Sequence, residues 1–277
     1  MPQPPRTRGR SSPPGPLAAD AELLALYDRW LRIEIEYPGV RRETLPNLVR
    51  FVRPAPGMNR VAYSRLDLTE IDAAIEQQIA TFRPMDQPFE WLVAEHDAPP
   101  GLQDRLIAHG FSPDDDPSAV MLLDLRDAPP SLLAPVKADV RRLQQREELG
   151  AVIRVLEQAV GGSYGWLPRR LGDHMAMPGY LSVVVAYADG LPACCGWIYF
   201  HPGNPFAELF GGATVPDRRG AGLYSAVLAA RVQEAAQRGV RYVATGASPM
   251  SRPILEKNGF RVLSFLHALS WEGPSER

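Results

Sequence analysis

A short glycine-rich segment between a predicted strand and a long predicted helix carries the clearest chemical signal in this sequence. It reads Arg219-Gly220-Ala221-Gly222 and leads into a helix that we predict over 220–238. Glycines let the backbone approach a ligand closely and adopt unusual dihedral angles. The first N–H groups of a helix lack intrahelical acceptors and carry partial positive charge. Together these features predict an anion site suited to a diphosphate.

Two common phosphate-binding motifs do not match this segment. A P-loop needs Lys and then Ser or Thr after its second glycine, and a dinucleotide fingerprint needs three spaced glycines. Only Gly220 and Gly222 are available here. The segment taken by itself is also compatible with an ordinary glycine-rich turn between a strand and a helix.

The surrounding stretch, Glu208 to Phe260, resembles the acyl-CoA-binding core of the GNAT superfamily of N-acetyltransferases. In that family a strand ends in a pattern like Val-x-Pro and is followed by Arg/Gln-Gly-x-Gly-x-Gly/Ala and a helix. The matching residues here are Thr214-Val215-Pro216, Arg219-Gly220-Ala221-Gly222-Leu223 and a closing Gly259-Phe260. The resemblance covers about residues 139–271, including a predicted hairpin over 181–200.

The resemblance implies an acetyl-CoA-dependent N-acetyltransferase, with acetyl-CoA as co-substrate and no metal. Backbone N–H groups of 220–225 would hold the CoA pyrophosphate, and the pantetheine would pair with the strand edge near Thr214 and Val215. Arg219 would add a charged contact or be a solvated residue at the turn. The cofactor-binding residues implied are Thr214, Val215, Arg219, Gly220, Ala221, Gly222, Leu223, Tyr224 and Ser225.

Two residues depart from the family pattern. Tyr224 stands where the family has a last Gly or Ala, and it either faces the core or narrows the pyrophosphate site. Leu255 stands where the family often has the tyrosine that protonates the departing thiolate. Leucine cannot donate a proton, so the thiolate, with a pKa near ~8.5, would leave unaided or be assisted from the preceding loop. Ser248 is the candidate there, with Ser251 as an alternative.

Glu208 is the candidate general base. An alkyl ammonium has a pKa near ~10, so a group beside the acceptor must take its proton before attack. Glu208 lies on the predicted strand that leads to the glycine segment, among mostly uncharged neighbours. The alternative is a glutamate that faces solvent from an edge strand. A covalent route through Cys194 or Cys195 needs a paired base, which the sequence does not indicate.

Three functions remain open at this point. The first is acetyl transfer to the amine of a small molecule or a peptide, and the second is a non-catalytic, regulatory acyl-CoA-binding module. In the third, the first half of the chain binds a partner or regulates the second. We expect the acceptor groove to lie near Tyr164, Trp166 and His174, although these residues could equally pack as a lid.

The elements that must position these residues recur in the two halves. The segment Trp91–Phe111 matches Val240–Phe260, since each runs from a strand through a short helix to Gly-Phe. Gly110 and Gly259 are predicted left-handed helix caps. We therefore predict a duplicated α/β (α+β) fold of the acyl-CoA N-acyltransferase type, with a mixed, mostly antiparallel central sheet flanked by helices. The joint near 66–71 has no glycine, so one cofactor per chain is expected.

The expected domains follow from this repeat. Residues 1–16 form a disordered Pro/Arg-rich tail, 17–128 a diverged GNAT-like domain without a CoA motif, and 136–277 a GNAT domain that binds acetyl-CoA. In the helix over 220–238 we expect an apolar face that includes Val227 and Val232, and Arg231, Glu234 and Arg238 on the opposite, polar face.

Composition narrows the function class. The chain has 277 residues and a formal net charge of −2, which gives no reason to expect nucleic acid or an anionic membrane as a partner. The longest apolar run, 180–188, is far short of the ~20 residues of a membrane helix. The tail lacks the apolar centre of a secretory signal. We therefore expect a cytoplasmic enzyme that could form a homodimer.

Overall fold

The computed structural model describes residues 16–54, 57–85 and 87–272. Within them, twelve strands form one mixed sheet. The predicted disordered tail, residues 1–16, lies outside the described residues except for Pro16, where the first helix begins. No helix in the described ranges is long and apolar enough to cross a membrane.

The strands are β1 (Arg41–Leu45), β2 (Leu48–Val52), β3 (Asn59–Ser64), β4 (Phe89–Ala94), β5 (Ser112–Pro113), β6 (Ser118–Asp124), β7 (Asp139–Arg142), β8 (Leu181–Ala188), β9 (Leu191–Phe200), β10 (Phe206–Thr214), β11 (Tyr242–Ala247) and β12 (Arg261–Trp271). Their order in the sheet is β1-β2-β3-β4-β12-β6-β11-β10-β9-β8-β7, and β5 pairs with β12. Only β3–β4 and β10–β11 are parallel among the described pairs. The predicted mixed, mostly antiparallel sheet is thus confirmed.

The helices are α1 (Pro16–Tyr27), α2 (Ile71–Phe82), α3 (Leu102–Ala108), α4 (Pro130–Leu133), α5 (Gly150–Ala159), α6 (Leu167–Met175), α7 (Leu223–Gln237) and α8 (Arg252–Lys257). A π-helical turn, Asp28–Ile33, continues α1. Short 3-10 turns span Arg83–Met85, Leu125–Asp127, Arg146–Leu149 and Pro216–Arg218.

The two halves of the chain exchange their last long strands. β12, from the second half, pairs with β4 and β6 of the first half. β6 in turn pairs with β11 of the second half. The halves therefore share one sheet, and the domain boundaries at 17–128 and 136–277 stay predictions.

The repeated Gly-Phe turns have the predicted geometry. Gly110 and Gly259 adopt φ of +87° and +84°, the left-handed region in which glycine ends a helix without strain. Phe111 and Phe260 follow them and are buried in the core at 3% and 2% exposure.

Helix α7 is buried more completely than its sequence predicts. Val227, Leu228, Val232 and Ala235 are fully buried, as expected. The expectation that Arg231 and Glu234 face solvent is wrong, since they are exposed by only 1% and 3%. Glu234 is covered because it pairs with Arg142 of β7 and with Arg238.

Candidate functional site

The glycine segment forms an open loop at the start of α7. After β10 the chain makes the 3-10 turn Pro216–Arg218, and Gly222 then caps α7. Gly220 and Gly222 have φ of +78° and +77°, and a Cβ on either would meet no atom within 4 Å. The conformation therefore favours glycine, while the space above the backbone stays open to a ligand.

Unpaired N–H groups line this loop. Gly220, Ala221 and Gly222 are exposed, and their amides donate to no acceptor among the described residues. The first turn of α7, Leu223–Ser225, adds N–H groups that a helix start leaves free. Exposed N–H groups at a helix start can bind an anion, and binding of a diphosphate here stays a prediction.

Arg219 braces the loop. Its Nε donates to the carbonyl of Thr214 at 3.4 Å, and its Nη2 donates to the carbonyl of Ala159 at the end of α5 at 3.3 Å. The side chain is exposed. In this structure its bonds hold the loop against α5, and a direct contact with pyrophosphate stays a prediction.

Strands β10 and β11 separate just before this loop. Their parallel pairing runs from Phe206–Tyr242 to Leu209–Thr245 and stops there, although β10 continues to Thr214. On its other side β10 has a bulge, because its register against β9 shifts between Phe210 and Ala213. The gap between the strands therefore opens after Leu209, the residue that follows Glu208.

A cavity of about 290 Å³ lies in this gap. It is lined by Ser118, Leu209, Phe210, Gly211, Gly212, Tyr224, Arg231, Thr245, Gly246 and Ser251. Tyr224, one of the predicted cofactor residues, packs against the β10 bulge. A Cβ on Gly212, which lies in the bulge, would be only 2.9 Å from the Tyr224 ring. Tyr224 therefore forms a wall of the gap, and burial raises the pKa of its hydroxyl.

Arg231 of α7 bonds to the backbone beside the β10 bulge. Its guanidinium donates to the carbonyls of Trp197 and Phe210, both at 3.3 Å, and to Val227 at 3.1 Å. No carboxylate pairs with it among the described residues, and burial lowers its pKa. Trp197 and Phe210 form the last residue pair of the β9–β10 ladder before its register shifts, so Arg231 bonds to both strands beside the bulge.

Ser248 lies beside the cavity instead of lining it. It is exposed, and its hydroxyl lies 3.3 Å from the Ser251 hydroxyl at the start of α8. Ser251 lines the cavity, whereas Leu255 is buried in the core at 1% exposure. A catalytic role for Ser248 stays a prediction, and Leu255 offers no proton.

Glu208 lies inside the molecule. β10 runs between β9 and β11, and the Glu208 side chain is only 14% exposed, so the alternative of a solvent-facing edge glutamate is wrong. Its Oε2 lies 2.8 Å from Nε2 of His201. Burial and, secondly, the charge of Glu208 raise the pKa of Tyr37 well above its ordinary value. Glu208 is thus a half-buried carboxylate in hydrogen-bond contact with an imidazole.

Aromatic rings surround this pair. Tyr199 lies opposite Glu208 in the β9–β10 ladder, and its hydroxyl is 2.9 Å from Nδ1 of His174. Burial, then the neighbouring charge of Arg170, lowers the pKa of His174 to about 4. The imidazole is therefore neutral near pH 7, and its Nδ1 shares a hydrogen bond with the tyrosine hydroxyl. Trp166, in contrast, is 53% exposed.

The cysteines offer no nucleophile. Cys194 and Cys195 are fully buried. Burial raises the pKa of both thiols, so neither forms a thiolate readily. Thr214 hydrogen-bonds to the Cys194 sulfur at 3.2 Å, which fixes the end of β10 against β9.

The corresponding gap in the first half is closed. β3 and β4 pair in parallel only from Asn59 to Val61 on β3, but a bridge between Arg65 and Ala98 rejoins the two chain segments. The indole of Trp91 also donates to the Ser64 hydroxyl at 3.1 Å across these strands. A separate, open depression of about 550 Å³ lies beside α2 and α3, away from this point.

Sequence reasoning missed a buried ionic cluster in the first half. Arg32 bonds to Asp28 at 2.8 Å and to Asp97 at 2.5 Å. His96 bonds to Asp28 and to Ser264 of β12, at 2.9 and 2.8 Å. Asp28, His96 and Asp97 are close enough to hold a metal ion, but the guanidinium already bonds to both carboxylates. The cluster ties the π-helical turn to β12.

Comparison with solved structures shows the fold. A GCN5-related N-acetyltransferase from Kribbella flavida is 18% identical, with a TM-score of 0.64 over 94% of this chain and 96% of that one. A protein of unknown function from Staphylococcus epidermidis is 12% identical, with a TM-score of 0.63 over 87% and 98%. A tandem GNAT protein from the clavulanic acid biosynthesis pathway is 18% identical, with a TM-score of 0.57 over 96% and 91%.

The chain has the fold of the GCN5-related N-acetyltransferases, so the fold predicted from the glycine segment is confirmed. The likeness to the tandem protein extends over both halves. No family model matches the sequence, and no curated protein matches it.

Proposed function

We propose that the chain is an acetyl-CoA-dependent N-acetyltransferase that acetylates an amine by direct attack. One observation carries the proposal: the gap between β10 and β11 leads straight to the open glycine loop at the start of α7. Acetyl-CoA would supply an acetyl group activated as a thioester. The reaction forms an N–C bond, breaks the C–S bond, and releases one proton from the amine and the CoA thiolate.

The residues at the loop fit the phosphates of CoA. The exposed N–H groups of 220–222 and those of Leu223–Ser225 would bind the pyrophosphate, helped by the dipole of α7. A Cβ atom on Gly220 or Gly222 would have no atom within 4 Å, so the space above these N–H groups is free for a ligand. Thr214 and Val215, on the β10 side of the gap, would contact the pantetheine.

Glu208 would take the proton of the acceptor ammonium. Glu208 precedes Leu209, the last residue of β10 that pairs with β11, and its carboxylate lies 2.8 Å from His201 Nε2. The contact with the imidazole Nε2 would orient the carboxylate. General base catalysis of this kind contributes roughly 10²- to 10⁴-fold to a rate.

The unpaired strand edge would stabilise negative charge on the reacting carbonyl oxygen. N–H groups of β10 beyond Leu209 have no partner on β11, so those that point into the gap are available as donors. Ser251, which lines the gap, or solvent would protonate the thiolate in place of Leu255.

Thermal shift with acetyl-CoA and release of free thiol over a panel of amines test the proposal. We expect millimolar acetyl-CoA to raise the melting temperature of the wild type and of Glu208→Gln alike. Only the wild type and Glu157→Gln, an exposed glutamate on α5, should release thiol at the full rate. If acetyl-CoA does not raise the melting temperature, the proposal that the chain binds acetyl-CoA is contradicted.

A second function is favoured by one residue. Leu255 stands where the family often has a proton-donating tyrosine. The loss of that donor is what we would expect in a non-catalytic acyl-CoA-binding module. Binding without thiol release, unchanged in Glu208→Gln, would favour that module.

A further inference from the structure

Aromatic rings from both halves of the chain surround the Glu208–His201 pair. The Tyr180 ring lies 5.3 Å from that of Tyr199 and 5.4 Å from that of His201. From the first half, the Tyr37 ring lies 5.6 Å from His201. Tyrosine faces attract an ammonium group, and a carboxylate among them adds charge attraction. This end of the cluster therefore suits an amine.

Two buried polar atoms in the cluster lack a partner. Tyr180 and His201 are exposed by only 5% and 7%. The Tyr180 hydroxyl and Nδ1 of His201 form no hydrogen bond with any described residue. Because buried polar atoms are nearly always paired, these two point to a polar ligand that completes the cluster.

Two guanidinium groups lie beside the same rings. Arg53, from the first half, lies over the Tyr37 ring at 5.5 Å. Arg170 lies one helical turn before His174 on α6, and His174 Nδ1 is 2.9 Å from the Tyr199 hydroxyl. Both side chains are half-buried. Neither forms an ion pair within the described ranges, whereas the neighbouring Arg60 pairs with Glu90.

The two cations repel each other across this site. Burial, then the charges of Arg170 and Arg60, lowers the pKa of Arg53 to about 10. Like charges held together in a half-buried site cost free energy, which an anion bound between them would offset. Guanidinium groups are well matched to carboxylates and phosphates.

If acetyl transfer at Glu208 is the function, we propose that the acceptor carries a primary amine and an anionic group, a carboxylate or a phosphate, on one apolar body. The amine binds among the rings at Glu208, and the anion binds at Arg53 and Arg170. The acceptor site thus uses residues from both halves of the chain.

Three amines with the same apolar body test the proposed class of acceptor. Benzylamine, 4-(aminomethyl)benzoate and 4-(aminomethyl)phenylphosphonate share the aminomethylphenyl body and differ only in the para substituent: hydrogen, carboxylate or phosphonate. We expect kcat/KM for thiol release to be roughly ten- to a hundredfold higher for the anionic amines than for benzylamine. The carboxylate and phosphonate arms distinguish which anion the site prefers.

Three variants locate the anion site. Arg53→Gln and Arg170→Gln should lose most of this preference, so that the ratio of kcat/KM for the anionic amines to kcat/KM for benzylamine falls towards one. Arg53→Lys should keep part of it, because the charge remains. Arg169→Gln, an exposed neighbour on α6, is the control and should keep all of it.

Equal rates for neutral and anionic amines in the wild type would overturn the proposal. A loss in the Arg variants that is equal for all three amines would do the same. If acetyl-CoA binds but no amine releases thiol, the proposed catalysis fails. Calorimetry with the three amines on the CoA-saturated chain then decides: preferential binding of the anions, lost in Arg53→Gln, supports the site, and equal or absent binding overturns it.

Discussion

Glu208, half-buried, and Arg231, buried, are two charged side chains near the end of the β10–β11 pairing. Glu208 lies just before the gap and contacts His201, while Arg231 bonds to the Phe210 carbonyl just beyond the last pair. Glu208 bonds to another side chain, and its role in proton transfer stays a proposal, whereas Arg231 bonds to backbone carbonyls. Their division of roles depends on position more than on residue type.

His174 makes stability depend on pH. Its pKa is about 4 in the folded chain, against 6.5 for a free histidine, so between these values the unfolded chain binds a proton that the folded chain does not. Stability is therefore highest above pH 6.5 and falls as the pH drops towards 4. Denaturant unfolding measured over pH 4–7 should show a shallower decline in His174→Gln. A decline as steep as that of the wild type would contradict this.

Arg32 neutralises the buried acidic cluster. The Asp97 side chain is only 1% exposed and bonds to Arg32, so Arg32→Met leaves a buried carboxylate without its cation. We expect a loss of about 3–5 kcal/mol in the free energy of unfolding, measured in urea. Arg29→Met, at an exposed pair with Glu34, should cost less than about 1 kcal/mol. Similar losses in the two variants would argue against the cluster's role.

At the scale of elements, the β10 bulge and the α7 loop form one unit. Both depend on glycines with positive φ, but for different reasons: Gly211 adopts +62° with the Trp197 ring packed against it, whereas Gly220 and Gly222 are open. The bulge shapes the gap through packing, and the loop exposes backbone to a ligand.

Gly211→Ala should damage the bulge. Its Cβ would overlap the Trp197 ring, which adds overpacking of ~1–3 kcal/mol to the ~1–2 kcal/mol cost of a left-handed alanine. Gly203→Ala, at φ +72° with no atom within 4 Å of the Cβ, should carry only the second cost. Urea unfolding of both variants measures the difference. An equal loss in the free energy of unfolding of the two variants would mean that the Trp197 ring moves aside at no cost.

At the scale of the whole molecule, the exchanged strands join the halves. β12 has both of its long neighbours in the first half, and β11 has β6 as its neighbour on one side. Either half alone would thus expose unpaired strand edges.

We expect residues 17–128 and 136–277 to fail to fold when expressed separately and to form a complex when expressed together. Circular dichroism during heating would show no cooperative transition for either half and one for the complex. A cooperative transition in isolated 136–277, with acetyl-CoA binding, would contradict this.

The sequence predicted what depends on contiguous residues. The glycine loop and the Gly-Phe caps could be recognised because each lies within one short stretch. The Arg32 cluster could not, since Asp28, His96 and Ser264 are distant in the chain. Helical periodicity also placed Arg231 on a polar face, because it contains no information that β9 and β10 cover that side. The exchange of β6 and β12 between the halves could not be predicted either, because it depends on contacts between strands that are distant in the chain.

Calorimetric titration of acetyl-CoA tests the central claim, a single cofactor site at the start of α7. The wild type should bind one molecule per chain, and Gly222→Asp should bind at least roughly tenfold more weakly because its carboxylate repels the phosphates. Gly101→Asp, at a left-handed glycine before α3 with the same open surroundings, should bind like the wild type. Two sites per chain, no binding to the wild type, or equal weakening in the two variants would contradict the account.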